Sequence, residues 1–271
     1  PCLNEIDIKN NCSYCSQKKY NLCDNYNYYG SRTDGSFCEI LDVFEWNLFK
    51  VSKKNFSTTA CLTEPTAVAF NIFENLNLKS YENKRILILG GGFIGQVLLR
   101  ILKSLTKSEL FLADRNSFKL SILKNITKNT ILFSKKKKDF KYIKKNLNNK
   151  FDIVIEITGS HENFINVLDF VKKDGQVVYS GNIDKDILFK KKQISNILRK
   201  QILIKGIWNS TFKTKNNNWK KADSFLSSNQ SIKNLITHET SLNDSGKLMK
   251  KIYNMKNGII KNNYLKGVIK V

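Results

Sequence analysis

The chain has 271 residues, with 46 lysines and arginines against 23 acids, a net charge of +23, and 41% apolar residues. That length supports a sizeable core in one large domain or two smaller ones. No stretch is apolar enough to span a bilayer, and no basic start leads into an apolar export segment, so the expectation is a soluble cytoplasmic chain with no membrane partner.

The charge does not point to nucleic acid. Only Arg32, Arg85, Arg100, Arg115 and Arg199 are arginines, and the lysines are spread among asparagines and isoleucines. A phosphate-reading surface would concentrate arginine and interleave aromatics on one face. Lys, Asn and Ile are the residues that AT-rich codons specify, which accounts for the charge without a specific nucleic-acid partner. The densest run, Lys135 to Lys138 with Lys141, Lys144 and Lys145, reads as a solvated surface.

Taken in order, the chain first presents Cys12, Cys15 and Cys23 in the spacing C-x2-C-x7-C. Three thiolates so spaced can wrap a tetrahedral Zn²⁺ that still needs a fourth ligand. Three residues before Cys12 stands Lys9, which does not ligate while protonated; Cys2 or Asp7 are the alternatives. The same spacing also suits reduced cysteines in a loop without metal, in keeping with a reducing compartment. From Phe37 to Phe49 the alternation of apolar residues predicts strands. Thr63 then caps a helix with Pro65 in its first turn and Glu64 at the positive end of its dipole.

Ile86 to Leu89 is an unbroken apolar run, as in a strand buried on both faces. Gly90-Gly91-Gly92-Phe93-Ile94-Gly95 follows at once, and Val97, Leu98, Ile101 and Leu102 then recur at helical spacing. The pattern G-x-G-x-x-G between a strand and a helix is a dinucleotide signature. Gly90 allows the tight turn, Gly92 lets a pyrophosphate approach the backbone, and Gly95 lets the helix pack closely. Asp114 closes a second strand nineteen residues past Gly95. A carboxylate there accepts from ribose hydroxyls and favours NAD over NADP, although the adjacent Arg115 could tolerate a 2′-phosphate. Lys119 reads otherwise as an exposed helix lysine. Phe151 to Glu156 is another buried strand, running into Thr158-Gly159 at the end of the sheet where such folds bind ligands. Further on, Asp174-Gly175 turns into a strand over 176–180, and Ile202 to Gly206 forms another. Beyond Trp208 come two amphipathic helices and a last strand over 265–271. His161 and His238 have no metal-ligand partner at helical spacing and are read as structural or solvent-facing.

The segment Cys12 to Ile40 resembles the zinc-lobe loop of the zinc-dependent medium-chain alcohol and polyol dehydrogenases. The galactitol-1-phosphate 5-dehydrogenase branch is nearest, through Tyr29-Gly30-Ser31-Arg32 and Asp34-Gly35-Ser36-Phe37. The resemblance implies an α/β chain: a doubly wound parallel Rossmann sheet over 61–208, with a partial GroES-like β lobe over 1–60 completed by 209–271. It implies NAD bound by Gly90, Gly92, Phe93, Ile94, Gly95, Asp114, Lys119 and Thr158. It also implies a structural zinc on Cys12, Cys15 and Cys23, with Glu64 in the catalytic-zinc environment. The implied reaction is oxidation of a polyol phosphate to a keto-sugar phosphate by a homodimer or homotetramer paired through an edge strand, with Arg32 offered to the substrate phosphate. Sorbitol, threonine or a simple alcohol are the alternative substrates. The Cys and His-Glu of the family's catalytic zinc have no counterpart here, so the expectation is an N-terminally truncated chain, inactive as it stands. A non-catalytic NAD-binding remnant is the alternative of another class.

Overall fold

The computed structural model describes residues 12–55, 59–78, 83–133, 145–215 and 217–271. Cys2, Asp7, Lys9 and the lysines between 135 and 144 lie outside the described residues. The chain divides into two compact units: Ile72–Ile207, and a second in which the residues up to Asn71 join those from Trp208 onward. No described helix is long and apolar enough to cross a membrane.

The second unit begins with a short helix α1 (Ser13–Ser16) and ends its first portion in α2 (Thr63–Glu74), within which the unit boundary falls. Cys12, Cys15, Cys23, Tyr20 and Tyr26 form a small buried cluster, with Tyr28 and Trp46 packed against it. Tyr20 meets Trp46 edge to face at 5.3 Å, and the Lys213 ammonium sits 4.2 Å over the same Trp46 ring. Such ring and cation contacts supply packing where aliphatic residues are few.

The strands expected between Phe37 and Phe49 do not form; the segment is irregular, with a single 3₁₀ turn at Glu45–Asn47. Alternation gives a strand one apolar face, but the backbone N–H and C=O groups still need a paired neighbour, and no described strand lies beside this segment. Phe37, Ile40, Phe44 and Leu48 are consequently exposed, Ile40 to 85%.

The unit Ile72–Ile207 is built on six parallel strands. They are β1 (Arg85–Leu89), β2 (Glu109–Asp114), β3 (Thr130–Leu132), β4 (Phe151–Glu156), β5 (Val171–Tyr179) and β6 (Leu203–Gly206), in the spatial order β3-β2-β1-β4-β5-β6. Between them run α3 (Phe93–Leu105), α4 (Ser117–Ser121), α5 (His161–Phe170) and α6 (Lys191–Lys200). This is the doubly wound Rossmann order expected from alternating strand and helix patterns. β1 is central, and Ile86 through Leu89 are fully buried, because helices cover both faces of a parallel sheet. Leu87 and Leu89 pack with Val154, Val177 and the α5 residues Val167, Leu168 and Phe170. Each such side chain contributes about 1.5–3 kcal/mol by leaving water.

The Asp174-Gly175 turn sits inside β5 rather than before it. Phe151 pairs with Val171 and Ile153 with Gln176, so Lys172 to Gly175 bulge against Asp152 alone. Asp174 takes φ +55°, a left-handed value that aspartate tolerates.

The chain then returns to the second unit as α7 (Asn218–Ser228), β7 (His238–Ser241), α8 (Ser245–Lys256) and β8 (Gly267–Lys270). The Asn217 side chain caps α7 by accepting from the Trp219 and Lys220 N–H groups. β7 and β8 pair in parallel. β7 reads His-Glu-Thr-Ser, with no apolar alternation to announce it, and β3 is only three residues long; neither is legible as a strand in the sequence.

Phe151 is fully buried and touches Phe111 at 5.1 Å between centroids. Phe151→Ala is expected to lower stability by about 3–5 kcal/mol in urea unfolding; a loss under about 1 kcal/mol would contradict this packing.

Candidate functional site

At the carboxyl edge of the sheet the strand order reverses between β1 and β4, which opens a crevice where the connections diverge. Gly90 leaves β1 with φ +119°, a conformation that L side chains rarely adopt, and its N–H donates to the Ala113 carbonyl at 2.8 Å. Gly91 N–H donates to Asp114 Oδ2 at 2.7 Å. Gly92 precedes the first turn of α3, and a Cβ there would meet nothing within 4 Å. Gly95 is the opposite case: a Cβ would lie 1.9 Å from the Gly90 carbonyl oxygen. The loop is therefore tight against the protein at Gly95 and open at Gly92.

Phe93 and Ile94 begin α3, whose first N–H groups have no carbonyl a turn earlier and carry the positive end of the helix dipole. No side chain caps this end. Asp114 closes β2 as a buried carboxylate facing the loop. Its Oδ1 accepts from the Asn116 N–H at 2.8 Å, and Lys119 Nζ lies 3.8 Å from Oδ2. Arg115 beside it is exposed.

Two further residues hold this arrangement: Gln96, which sequence reasoning missed, and Glu156, which it read as the start of the turn to Thr158-Gly159 without seeing the bonds it makes. Gln96, fully buried in α3, donates from Nε2 to the Lys119 carbonyl at 2.7 Å and to the Gly91 carbonyl at 3.4 Å. The signal was a lone amide on an otherwise apolar helix face. Glu156 is fully buried at the end of β4, where its carboxylate accepts from Thr158 N–H at 2.8 Å and Gly159 N–H at 3.2 Å. Burial pushes the Glu156 carboxyl above its ordinary range, opposed by the hydrogen bonds from Thr158 and Gly159. The Thr158 hydroxyl donates to Glu156 and accepts from Ser160 N–H and Asn163 Nδ2. Thr158, read from sequence as a cofactor contact, thus commits its hydroxyl to its own turn.

His161 opens α5 and is tied to Asp184 through both its N–H, at 2.9 Å, and its ring Nδ1, at 3.0 Å. These bonds hold the Asp184 carboxyl below the usual range. His238 lies against Tyr264 and the Thr237 hydroxyl.

In the other unit, the sulfurs of Cys12, Cys15 and Cys23 lie within 4.8 Å of one another, and all three residues are buried. The Asp24 N–H donates to Cys12 Sγ at 3.5 Å, the leading cause of a lowered Cys12 thiol pKa. Such a trio of soft donors suits Zn²⁺. Glu64 stands in the first turn of α2 with an exposed edge, but crowding by its neighbours raises its carboxyl pKa, opposed by Lys266. Among the described residues it joins no cluster of three or more ligand groups. The Arg32 guanidinium donates to the Tyr26 carbonyl.

Residues 94–228 match the family model for zinc-binding dehydrogenases. Over this stretch the chain resembles that family. Among curated proteins it is similar to the L-threonine 3-dehydrogenase of Shewanella woodyi, 26% identical over 84% of this chain and 64% of that protein. It is also similar to the galactitol 1-phosphate 5-dehydrogenase of Escherichia coli K12, at 24% identity over 85% of this chain and 67% of that enzyme. The chain therefore spans about two thirds of the length of these relatives. Its fold is shared with a short chain alcohol dehydrogenase from Escherichia coli CFT073 solved with NADH, at a TM-score of 0.78 and 19% identity, over 96% of this chain and 73% of that one.

The two glycines separate packing from ligand space. Gly95→Ala is expected to lower the melting temperature by several degrees, whereas Gly92→Ala should leave it within about a degree of the parent. Equal losses in the two variants would contradict the geometry of the loop.

Proposed function

We propose that this chain forms the coenzyme-binding part of an NAD-linked, zinc-containing dehydrogenase that oxidises a polyol phosphate of the galactitol 1-phosphate kind to a keto-sugar phosphate. One observation carries the reading: the open Gly92 lies in the same turn as Gly91, whose N–H grips the buried Asp114 carboxylate. A pyrophosphate fits over Gly92 and the start of α3 at Phe93 and Ile94, where backbone N–H groups and the helix dipole favour anions. The remaining lone pairs of Asp114 accept from the ribose hydroxyls, and its charge disfavours a 2′-phosphate, hence NAD rather than NADP. Lys119 balances that charge at the rim of the ribose position, and Thr158 shapes the far wall through its turn.

When bound, the nicotinamide supplies the hydride acceptor. The residues of this chain bind and orient it. Cys12, Cys15 and Cys23 fit a structural Zn²⁺ that would fasten the loop around them. Glu64 is assigned to the catalytic-zinc environment, yet among the described residues it joins no group of three or more ligands, and no chemical step is derived through it. Arg32 is assigned to the substrate phosphate, which a guanidinium grips bidentately. Pairing into a homodimer or homotetramer through β6, whose residues are all exposed along the sheet edge, completes the reading. The galactitol-phosphate relative supports the polyol-phosphate substrate, while the threonine dehydrogenase supports an amino-alcohol alternative.

A second reading is a nucleotide-binding module without turnover, since among the described residues Glu64 joins no group of three or more ligands. The two separate in one experiment: NADH titration of the chain followed by assay of NAD reduction with added Zn²⁺ and a panel of polyols, polyol phosphates and threonine. Binding with turnover supports the enzyme, and binding alone supports the module. Asp114→Ala is expected to weaken NADH binding about tenfold or more, the value of hydrogen bonds to a charged acceptor. Unchanged affinity would remove the ribose assignment.

A further inference from the structure

Three thiolates leave a tetrahedral Zn²⁺ one ligand short. We propose that Asp24 supplies the fourth ligand through its carboxylate, completing the site of Cys12, Cys15 and Cys23. The inference rests on the zinc reading of the cysteine cluster given above.

Distance is the first support. Cys12 Sγ and Asp24 Oδ2 are 3.5 Å apart. Zinc bonds of about 2.3 Å to sulfur and 2.0–2.2 Å to a carboxylate, at a tetrahedral angle, place the two ligand atoms about 3.6 Å apart. The pair already stands at the separation of two ligands sharing an ion. That separation holds for Cys12 alone: the carboxylate does not yet join the group of sulfurs within 4.8 Å of one another, so ligation requires the Asp24 side chain to turn toward Cys15 and Cys23 while keeping its distance from Cys12.

Charge is the second. Before metal enters, the Cys12 thiol donates to the Asp24 carboxylate. Zinc binding requires that proton, and those of Cys15 and Cys23, to leave for solvent. The carboxylate adds an anionic oxygen donor beside the three sulfurs, a donor type that Zn²⁺ accepts. Although the chain holds 46 basic residues, Cys12 is the described side chain that this carboxylate engages.

Position is the third. The three cysteines are buried, whereas Asp24, the residue after Cys23, is exposed, which leaves its side chain room to turn. The Asp24 N–H meanwhile bonds Cys12 Sγ, the kind of outer contact that steadies a thiolate ligand.

The test uses the full 271-residue chain, its zinc content, chelator competition and the visible spectrum after Co²⁺ exchange. The parent is expected to hold one zinc per chain with a three-sulfur spectrum. Asp24→Ala and Asp24→Asn, which keep the backbone N–H, should weaken zinc binding at least about tenfold. Asp24→Cys should keep zinc and raise the sulfur-to-cobalt charge-transfer band by about a third, as a fourth thiolate joins. Unchanged zinc affinity in Asp24→Ala, or a parent-like spectrum in Asp24→Cys, overturns the assignment and moves the fourth ligand elsewhere. A parent chain that binds no zinc instead sinks the zinc reading itself.

Discussion

The hydrogen bond from the Gly91 N–H to the Asp114 carboxylate joins the end of β1 to the end of β2, beside the crevice. It follows from register: Leu89 pairs with Ala113, so the first residues beyond β1 stand beside the last of β2. A buried carboxylate without donors would be costly, and two backbone N–H groups supply them here. The glycine loop is thereby tied to the acid, and Gln96 ties both to the carbonyl of Lys119. Loop, acid and lysine are one hydrogen-bonded unit, which is what a rigid ribose and diphosphate cradle requires.

The cysteine-bearing unit is organised on other terms. Its small cluster relies on sulfur, tyrosine and Trp46 rather than on aliphatic packing. Hydrogen bonds serve as cross-braces between distant segments: Asp223 accepts from the Ser52 N–H and from Asn55 Nδ2, and Asn209 Nδ2 donates to the Tyr26 hydroxyl at 2.6 Å. Burial pushes the Tyr26 hydroxyl up to about 12, so it stays protonated at neutral pH, where its oxygen can accept that bond. The loop around the three cysteines, packed on tyrosines and Trp46, has more to gain from a bound ion than the aliphatic sheet has.

Legibility in the sequence followed the range of the interaction. The turn Gly90 to Gly95 was readable because each glycine answers a local demand of chain geometry. β1 and β4 were readable because a central parallel strand is apolar on both faces. Gln96 was not, and of Glu156 only its place in the turn was, since an amide or an acid in a helix or strand shows nothing of the backbone groups it will meet. The stretch from Phe37 to Phe49 misled in the other direction, because its alternation is the pattern of a strand while pairing depends on a neighbour.

The sequence by itself determined the alternation of strand and helix, the phosphate-loop glycines, the acid at the end of β2 and the cysteine spacing. All are local patterns, set by residue volume, backbone freedom and periodicity. Tertiary structure alone decided which groups meet: that Asp114 turns to Gly91, that Thr158 spends its hydroxyl on Glu156, and that Asp24 comes within reach of Cys12. Those contacts depend on strand register and on how loops close, and the energy of each is realised only when the rest of its unit has folded around it.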